Sequence, residues 1–286
     1  MVDTVEIFEV GPRDGLQNEP RAIATADKIA LVDQLGGAGF RRIECASFVS
    51  PKAVPQMADS GDVLAGIIRK PGVRYAALTP NLKGFDRALA ARADEVAVFG
   101  SASEGFSQAN VNASIDAALA RFEPVMEAAR AARIPVRGYV SCVVECPYDG
   151  PVAPAAVARV AQALDAMGVY EISLGDTIGR ATPDAVAAML DAVLADIPAA
   201  RLAGHFHDTS GRAVDNVAVA LDRGLRVFDA AVGGLGGCPF APGAAGNVAT
   251  ETLNAYLVAE GLETGLKPDI LDAAGKVARR MRHGDL

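Results

Sequence analysis

Short apolar runs alternate with longer stretches of helical periodicity from one end of the chain to the other. Eight of the runs have the length of buried strands. They begin at Thr4 (TVEIFEV), Arg41 (RRIECASF), Val73 (VRYAALT), Glu95 (EVAVFG), Val136 (VRGYVSCV), Tyr170 (YEISLGD), Arg201 (RLAGHFHD) and Val227 (VFDAAVGG). In the stretches between them apolar residues recur every three or four positions. This spacing predicts helices such as DKIALVDQLGGAG, NASIDAALARFEPVMEAARAAR, AAVARVAQALDAMG and PDAVAAMLDAVLADI.

Eight strand–helix units predict a parallel sheet with helical crossovers, and eight is the number that closes into a (β/α)8 TIM barrel. A doubly wound open sheet is the alternative. No Pro- or Ser-rich linker divides the 286 residues. We therefore expect one domain over residues 1–286, with the barrel over about 4–262. The final stretch KPDILDAAGKVARRMRHGDL predicts an additional C-terminal helix over about 267–283, packed on the barrel or against a partner subunit.

Charge and cysteine content narrow the classes of function. The formal net charge is −8 and the sequence has no basic block, so nucleic acid and anionic membranes are poor candidates as partners. The sequence has no apolar run long enough to span a membrane and no pattern of a signal peptide. The four cysteines, Cys45, Cys142, Cys146 and Cys238, are too few and scattered for a disulfide framework. We expect free thiols and a cytoplasmic location.

The unusual polar residues follow the ends of the predicted strands, where a TIM barrel carries its chemistry. Arg13 and Asp14 follow the first run in EVGPRDGLQNE, and Glu44 lies in the second run. Asp176 ends the sixth run in SLGDTIG, and HFHD ends the seventh. The densest glycines follow the eighth run in GGLGGCPFAPGAAGN. This distribution predicts a functional site at one rim of the barrel.

His205 and His207 are two of only three histidines in the chain. On a strand, residues two apart point to the same face, so this pair can bind one metal ion. Asp14 can add a carboxylate oxygen from the neighbouring first strand, and Asn247 can add an amide oxygen. Such a donor set suits octahedral Mg²⁺ or Mn²⁺, whereas no cysteine pair has zinc-finger spacing. The alternative is two core histidines bonded to the backbone.

Six segments resemble, in order along the chain, the hydroxymethylglutaryl-CoA lyase family. They are EVGPRDGLQNE, IECASFVSPKAVPQM, SCVVECPYDG, SLGDTIG, HFHDTSG and GGLGGCPFAPGAAGNVATE. The resemblance implies a TIM barrel that binds one divalent cation (Mg²⁺ or Mn²⁺), a homodimer or higher homo-oligomer, and a role in leucine degradation or ketone-body formation. It implies that the cation ligands are Asp14, His205, His207 and Asn247. It also implies catalytic roles for Arg13, Asp176, His205 and Cys238.

The reaction implied by this resemblance is a retro-Claisen cleavage of an acyl-CoA substrate, 3-hydroxy-3-methylglutaryl-CoA, to acetyl-CoA and acetoacetate. Arg13 would stabilise the enolate oxygen, and either His205 or Asp176 would take the hydroxyl proton. Cys238 would protonate the enolate carbon, because an ordinary thiol with a pKa of about 8.5 is mostly protonated at neutral pH. A small buried apolar residue is the alternative for Cys238. We expect the substrate to contact Arg13, Gln17, Glu44 and Ser141.

Departures from the family pattern keep the acyl group open. Ser210 stands where the family often has Tyr, Glu145 where it often has Gly, and Cys45 and Ala46 interrupt the usual second strand. A lyase for citramalyl-CoA or an isoprenoid-glutaryl-CoA is therefore an alternative. A Claisen-type condensing synthase is disfavoured by HFHDT and by Cys238. The alternative of another class is a non-catalytic metal- or CoA-binding barrel.

Overall fold

The computed structural model describes residues 3–238 and 241–283, and it describes side chains over 3–236 and 246–282. Within these residues eight parallel strands close into a barrel, each paired with the next and the eighth paired with the first. The strands are β1 (Glu6–Glu9), β2 (Arg42–Ser47), β3 (Arg74–Leu78), β4 (Glu95–Ser101), β5 (Val136–Ser141), β6 (Glu171–Asp176), β7 (Leu202–Phe206) and β8 (Val227–Ala230). All eight predicted strands are confirmed, and the closed barrel excludes the open sheet.

Helices connect the strands and cover the outside of the barrel. They are α1 (Thr25–Gly36), α2 (Ser60–Gly66), α3 (Leu82–Ala90), α4 (Glu104–Val111), α5 (Ile115–Ala120), α6 (Glu123–Ala132), α7 (Pro154–Met167), α8 (Pro183–Leu194), α9 (Ala213–Asp222), α10 (Thr250–Ala259) and α11 (Pro268–His283). The stretch NASIDAALARFEPVMEAARAAR forms two helices rather than one, α5 and α6. Pro124 lies in the first turn of α6, where a residue without an N–H is tolerated.

The predicted C-terminal helix is present as α11. It packs against α1, α10 and the 3₁₀ turn Val232–Gly234 that follows β8. The contact is close at Gly275, where an added Cβ would lie 1.9 Å from Glu251 Oε1. The helix therefore supports the start of the glycine-rich loop from outside the barrel.

The interior of the barrel is charged, whereas the apolar core lies between the strands and the helices. Strand alternation places Arg137, Tyr139 and Ser141 of β5 on the inner face, at successive heights from the bottom to the mouth. Arg137 is fully buried and forms ion pairs with Glu171 and Asp229. Buried charges need such partners because water cannot reach them.

Candidate active site and metal centre

Three predicted ligands meet at the C-terminal mouth of the barrel. Asp14, His205 and His207 offer ligand atoms that all lie within 4.8 Å of one another. Asp14 belongs to a π-helical turn, Gly11–Gly15, and His207 directly follows β7. The fourth predicted ligand, Asn247, pairs with His207 in an isolated β-bridge, and its Nδ2 donates to Asp14 Oδ2 at 2.8 Å. The structure therefore brings the four residues together.

The chemistry of this cluster fits a divalent cation. Among the described residues the buried His207 Nδ1 has no hydrogen-bond partner. Burial, and then the neighbouring His205, lowers the pKa of His207 to about 4, so its imidazole is neutral and able to bind a metal. Burial alone would raise the pKa of Asp14, but Arg13 and the imidazoles hold it at about 2. Asn247 directs its amide nitrogen, rather than its oxygen, toward Asp14.

Arg13 is fixed at the mouth by two carboxylates. Its Nη1 donates to Asp14 Oδ1 at 2.7 Å and its Nε donates to Glu44 Oε2 at 2.5 Å. Its guanidinium lies 5.7 Å from the ring centroid of Tyr139. Glu44 is fully buried and, among the described residues, it contacts Arg13 and does not line the cavity. We expect Glu44 to act on the substrate through Arg13 rather than by the direct contact predicted from the sequence.

A cavity of about 640 Å³ opens above the cluster. Its lining includes seven of the predicted site residues, Arg13, Asp14, Gln17, Ser141, His205, His207 and Asn247. The cavity also has an apolar and aromatic wall that was not predicted from the sequence, formed in part by Val54, Leu78, Phe99, Phe106, Tyr139 and Tyr148. Inward alternation on β4 and β5 was the available signal for Phe99 and Tyr139.

Asp176 ends β6 but is turned toward the backbone of the following loop. Its carboxylate accepts hydrogen bonds from the amides of Arg180 at 3.2 Å and Ala181 at 2.9 Å. Burial raises its pKa. It is absent from the described residues that line the cavity, so its role as a base stays a prediction.

Three of the cysteines and the departures from the family pattern lie apart from the described cavity. Cys45, Cys142 and Cys146 are buried free thiols, as expected. The side chain of Cys238 lies outside the described residues, so its role also stays a prediction. Ser210 is exposed, and Glu145 forms an ion pair with Arg180 at 2.9 Å. Neither residue belongs to the described lining of the cavity. The expected influence of Ser210 and Glu145 on the choice of acyl group is therefore not supported by a direct contact with the cavity.

Two buried charges beneath the cluster were not predicted. His205 Nδ1 lies 3.0 Å from Asp229 Oδ2, and Arg137 grips the same carboxylate with two nitrogens, at 2.7 and 3.1 Å. Both residues interrupt apolar runs, VRGYV and VFDAA. A charge inside such a run requires a buried partner, and this was the signal that could have found the pair.

The closed barrel and the polar cluster at its mouth define a TIM-barrel enzyme with a possible metal-binding group. The HMGL-like family model matches residues 4–277, and the chain belongs to this family. The 3-hydroxy-3-isohexenylglutaryl-CoA/hydroxymethylglutaryl-CoA lyase of Pseudomonas aeruginosa is 56% identical over 272 residues, which are 95% of this chain and 91% of that protein. The mitochondrial hydroxymethylglutaryl-CoA lyase of Rattus norvegicus is 57% identical over 271 residues, 95% of this chain and 83% of the relative.

A solved structure shows the same similarity in three dimensions. The HMG-CoA lyase from Brucella melitensis superimposes with a TM-score of 0.98 at 61% identity. The superposition covers 98% of this chain and 99% of that chain. The TIM-barrel fold expected from the sequence is thereby confirmed, and so is the resemblance to this family.

Proposed function

We propose that this chain is a carbon–carbon lyase that cleaves 3-hydroxy-3-methylglutaryl-CoA to acetyl-CoA and acetoacetate with the help of a divalent cation. The observation that carries the proposal is the convergence of Asp14, His205 and His207 beside Arg13 in one cavity. The named lyases that share more than half of its residues support the same reaction. The cation would be held by this cluster and Asn247, and Mg²⁺ or Mn²⁺ suits its oxygen and nitrogen donors.

The cleavage produces the enolate of acetyl-CoA, whose negative charge must be stabilised. When bound, the cation supplies Lewis-acid activation of the substrate hydroxyl. As the carbon–carbon bond breaks, its electron pair moves into the thioester and forms an enolate. Arg13 has five N–H donors, of which three face Glu44 and Asp14. The two remaining donors are available for the enolate oxygen.

Two proton transfers complete the reaction. The hydroxyl proton leaves to a base, and the enolate carbon receives a proton from an acid, for which we propose Cys238. With Nδ1 engaged by Asp229, His205 offers only Nε2 to the cavity. That one nitrogen either binds the cation or takes the proton, but it cannot do both at once. Asp176 would have to turn away from its loop amides to act as the base.

A larger acyl group is the second candidate substrate. The Pseudomonas relative is named for both 3-hydroxy-3-isohexenylglutaryl-CoA and hydroxymethylglutaryl-CoA. The apolar wall around Val54, Phe99 and Phe106 offers a surface that a longer hydrocarbon substituent could bury. This observation favours an isoprenoid-glutaryl-CoA over the smaller and more polar citramalyl-CoA.

The test is an assay of the purified chain with Mg²⁺ or Mn²⁺ on each of the three acyl-CoA compounds. Equal amounts of acetyl-CoA and acetoacetate from 3-hydroxy-3-methylglutaryl-CoA, lost in His205→Ala and Cys238→Ser, would support the proposal and the assigned residues. Release of acetyl-CoA from only one of the other two compounds would mean that this compound, and not 3-hydroxy-3-methylglutaryl-CoA, is the substrate. A chain inert on all three would revive the non-catalytic alternative.

The setting of the enzyme in the cell rests on the resemblance. Within the described residues, none of the helices combines the length and apolar character needed to cross a membrane. The rat relative is named a mitochondrial protein, so a cytoplasmic location for this chain stays a prediction. A homodimer or higher oligomer and a role in leucine degradation also stay predictions, and light scattering on the purified chain tests the first of them.

A further inference from the structure

Asp229 on β8 lies directly beneath the candidate metal ligands and is fully shielded from solvent. Its Oδ2 lies 3.0 Å from His205 Nδ1 and accepts a hydrogen bond from Ser173 Oγ at 2.8 Å. Arg137 Nη2 donates to Oδ1 at 2.7 Å, and Nη1 donates to Oδ2 at 3.1 Å. The carboxylate therefore joins the site above it to a buried guanidinium below it.

This contact fixes which nitrogen of His205 faces the cavity with a lone pair. A carboxylate can only accept hydrogen bonds, so the proton of the neutral imidazole must lie on Nδ1. Nε2 is then unprotonated and is the nitrogen available to the cluster formed with Asp14 and His207. His207 differs, because its buried Nδ1 has no partner among the described residues. His205 is thus the better oriented of the two imidazoles.

Arg137 holds the carboxylate of Asp229 in one plane. A guanidinium that binds both oxygens of a carboxylate restricts its rotation. Arg137 is itself held by Glu171, whose Oε1 accepts from its Nε at 2.7 Å, and by Tyr139, whose Oη accepts from its Nη1 at 2.9 Å. All four of these side chains point inward on the barrel, and Arg137 is completely buried. His205 therefore rests on a support anchored to three strands.

We propose that Asp229, held by Arg137, is a positioning residue that sets the tautomer and ring plane of His205 and thereby strengthens cation binding. The inference rests on the proposed function, since it assigns a cation to the cluster. Partners that orient a metal-binding histidine in this way typically change metal affinity by about 10- to 100-fold. Asp229 and Arg137 touch neither substrate nor cation in this role.

The variant Asp229→Asn reverses the hydrogen bond without changing the size of the side chain. Arg137 offers only donors, so it retains the amide oxygen of the new side chain. The amide nitrogen then faces His205 Nδ1, which must become the acceptor. The proton moves to Nε2, and the lone pair is withdrawn from the cavity. Glu95→Gln is the matched control, because Glu95 is a buried carboxylate of the barrel interior that pairs with Tyr170 and Arg74 and does not contact His205.

Two measurements on the full chain decide the matter. The first is the Kd for Mn²⁺ by titration calorimetry. We expect a weakening of about 10- to 100-fold in Asp229→Asn and less than about 3-fold in Glu95→Gln. The second is ¹⁵N NMR of metal-free protein labelled at histidine, which reports the tautomer of each ring. The chain has only three histidines, so His205 can be assigned by its loss in His205→Ala.

The outcomes separate this inference from the proposed function. An Asp229→Asn variant that binds Mn²⁺ as tightly as the wild type would overturn the positioning role. If Asp229→Asn does not fold, the wild-type spectrum, recorded at a pH where His205 is neutral, still decides, because a neutral ring with its proton on Nε2 would contradict the assignment. A wild type that binds no Mn²⁺ would instead overturn the cation-dependent function and the affinity effect, and the tautomer would still show whether Asp229 orients the ring.

Discussion

Single charged side chains inside the barrel decide how the site behaves. Arg13, Asp229 and Glu9 are each buried and each contact two or more elements. In such surroundings a charge without a partner is costly, and a charge with well-placed partners is held rigidly. Substitution of one of these side chains therefore has effects that depend on its particular partners.

Arg13→Lys keeps the positive charge but removes the forked donor that binds Glu44 and Asp14 together. We expect kcat to fall by about 10²- to 10³-fold, because a donor to the enolate oxygen is lost. Steady-state kinetics on 3-hydroxy-3-methylglutaryl-CoA measures this effect. The control is Arg226→Lys, at a half-exposed ion pair with Asp3, where kcat should stay unchanged. A kcat of Arg13→Lys close to that of the wild type would show that Arg13 does not stabilise the enolate.

Glu9 gives stability a dependence on pH. Its Oε1 accepts from the amides of Gly11 at 2.8 Å and Val232 at 2.9 Å, and its Oε2 accepts from Thr250 Oγ1 at 2.7 Å. Burial raises its pKa from 4.5 to about 7 against the pull of these donors. The folded state therefore holds this proton more tightly than the unfolded state. Its stabilising effect is complete below pH 4.5 and is lost as the pH rises to about 7.

Glu9→Gln carries no titrating group, so it should lack this part of the pH dependence. We expect the free energy of unfolding of the wild type, relative to the variant, to fall by roughly 2–3 kcal/mol between pH 4.5 and 8. Urea unfolding at several pH values measures the difference. A difference that stays constant over this range would mean that Glu9 is ionised throughout in the folded chain.

Strands and helices differ in how well the sequence predicts them. Eight apolar runs predicted eight strands because a buried parallel strand is almost continuously apolar. The π-helical turn Gly11–Gly15 that carries Arg13 and Asp14 has no such pattern, since its shape depends on Glu9 and on the turn Val232–Gly234 far along the chain. The break between α5 and α6 could have been found from Pro124. Local pattern predicts elements well, but it does not predict geometry set by distant partners.

Helix α11 contacts the loop that bears Cys238. Arg282 Nη2 donates to the carbonyl oxygens of Gly234 at 2.5 Å and Gly236 at 3.4 Å, and its Nε pairs with Glu19 Oε1 at 3.1 Å. We expect Arg282→Ala to lower kcat by roughly 10-fold, because the loop loses an anchor two residues before Cys238. Arg280→Ala, at an exposed position of the same helix, is the control. Equal kcat values for the two variants would show that α11 does not position the loop.

At the scale of the whole molecule, the interactions that stabilise the fold and the groups that carry out the chemistry lie in different places. The apolar core lies outside the barrel wall, the ion-pair network lies inside it, and the candidate metal centre lies at the mouth. The periodicity of the sequence predicts the apolar core. The position of the ligand residues directly after strands predicts the candidate metal centre. The sequence could not predict which buried charges meet across the barrel, since Arg137 and Asp229 are 92 residues apart.

Removal of the cation should therefore stop turnover without unfolding the chain. We expect EDTA to abolish activity, and circular dichroism to show an intact fold, because the ligands stand on strands that are held by other interactions. Added Mn²⁺ should restore activity and, at about 100 times its Kd, should raise the free energy of unfolding by about 2.7 kcal/mol. Loss of helical signal in EDTA would instead indicate a structural metal.

The closure of β8 on β1 also has a consequence for how the enzyme is made. Asp14 and Asn247 meet across 233 residues of chain, so the whole segment between them must leave the ribosome before the site can assemble. Contacts between such distant segments are among the slowest to form during folding. A nascent chain that ends before Asn247 therefore lacks one of the four candidate ligands and cannot complete the site.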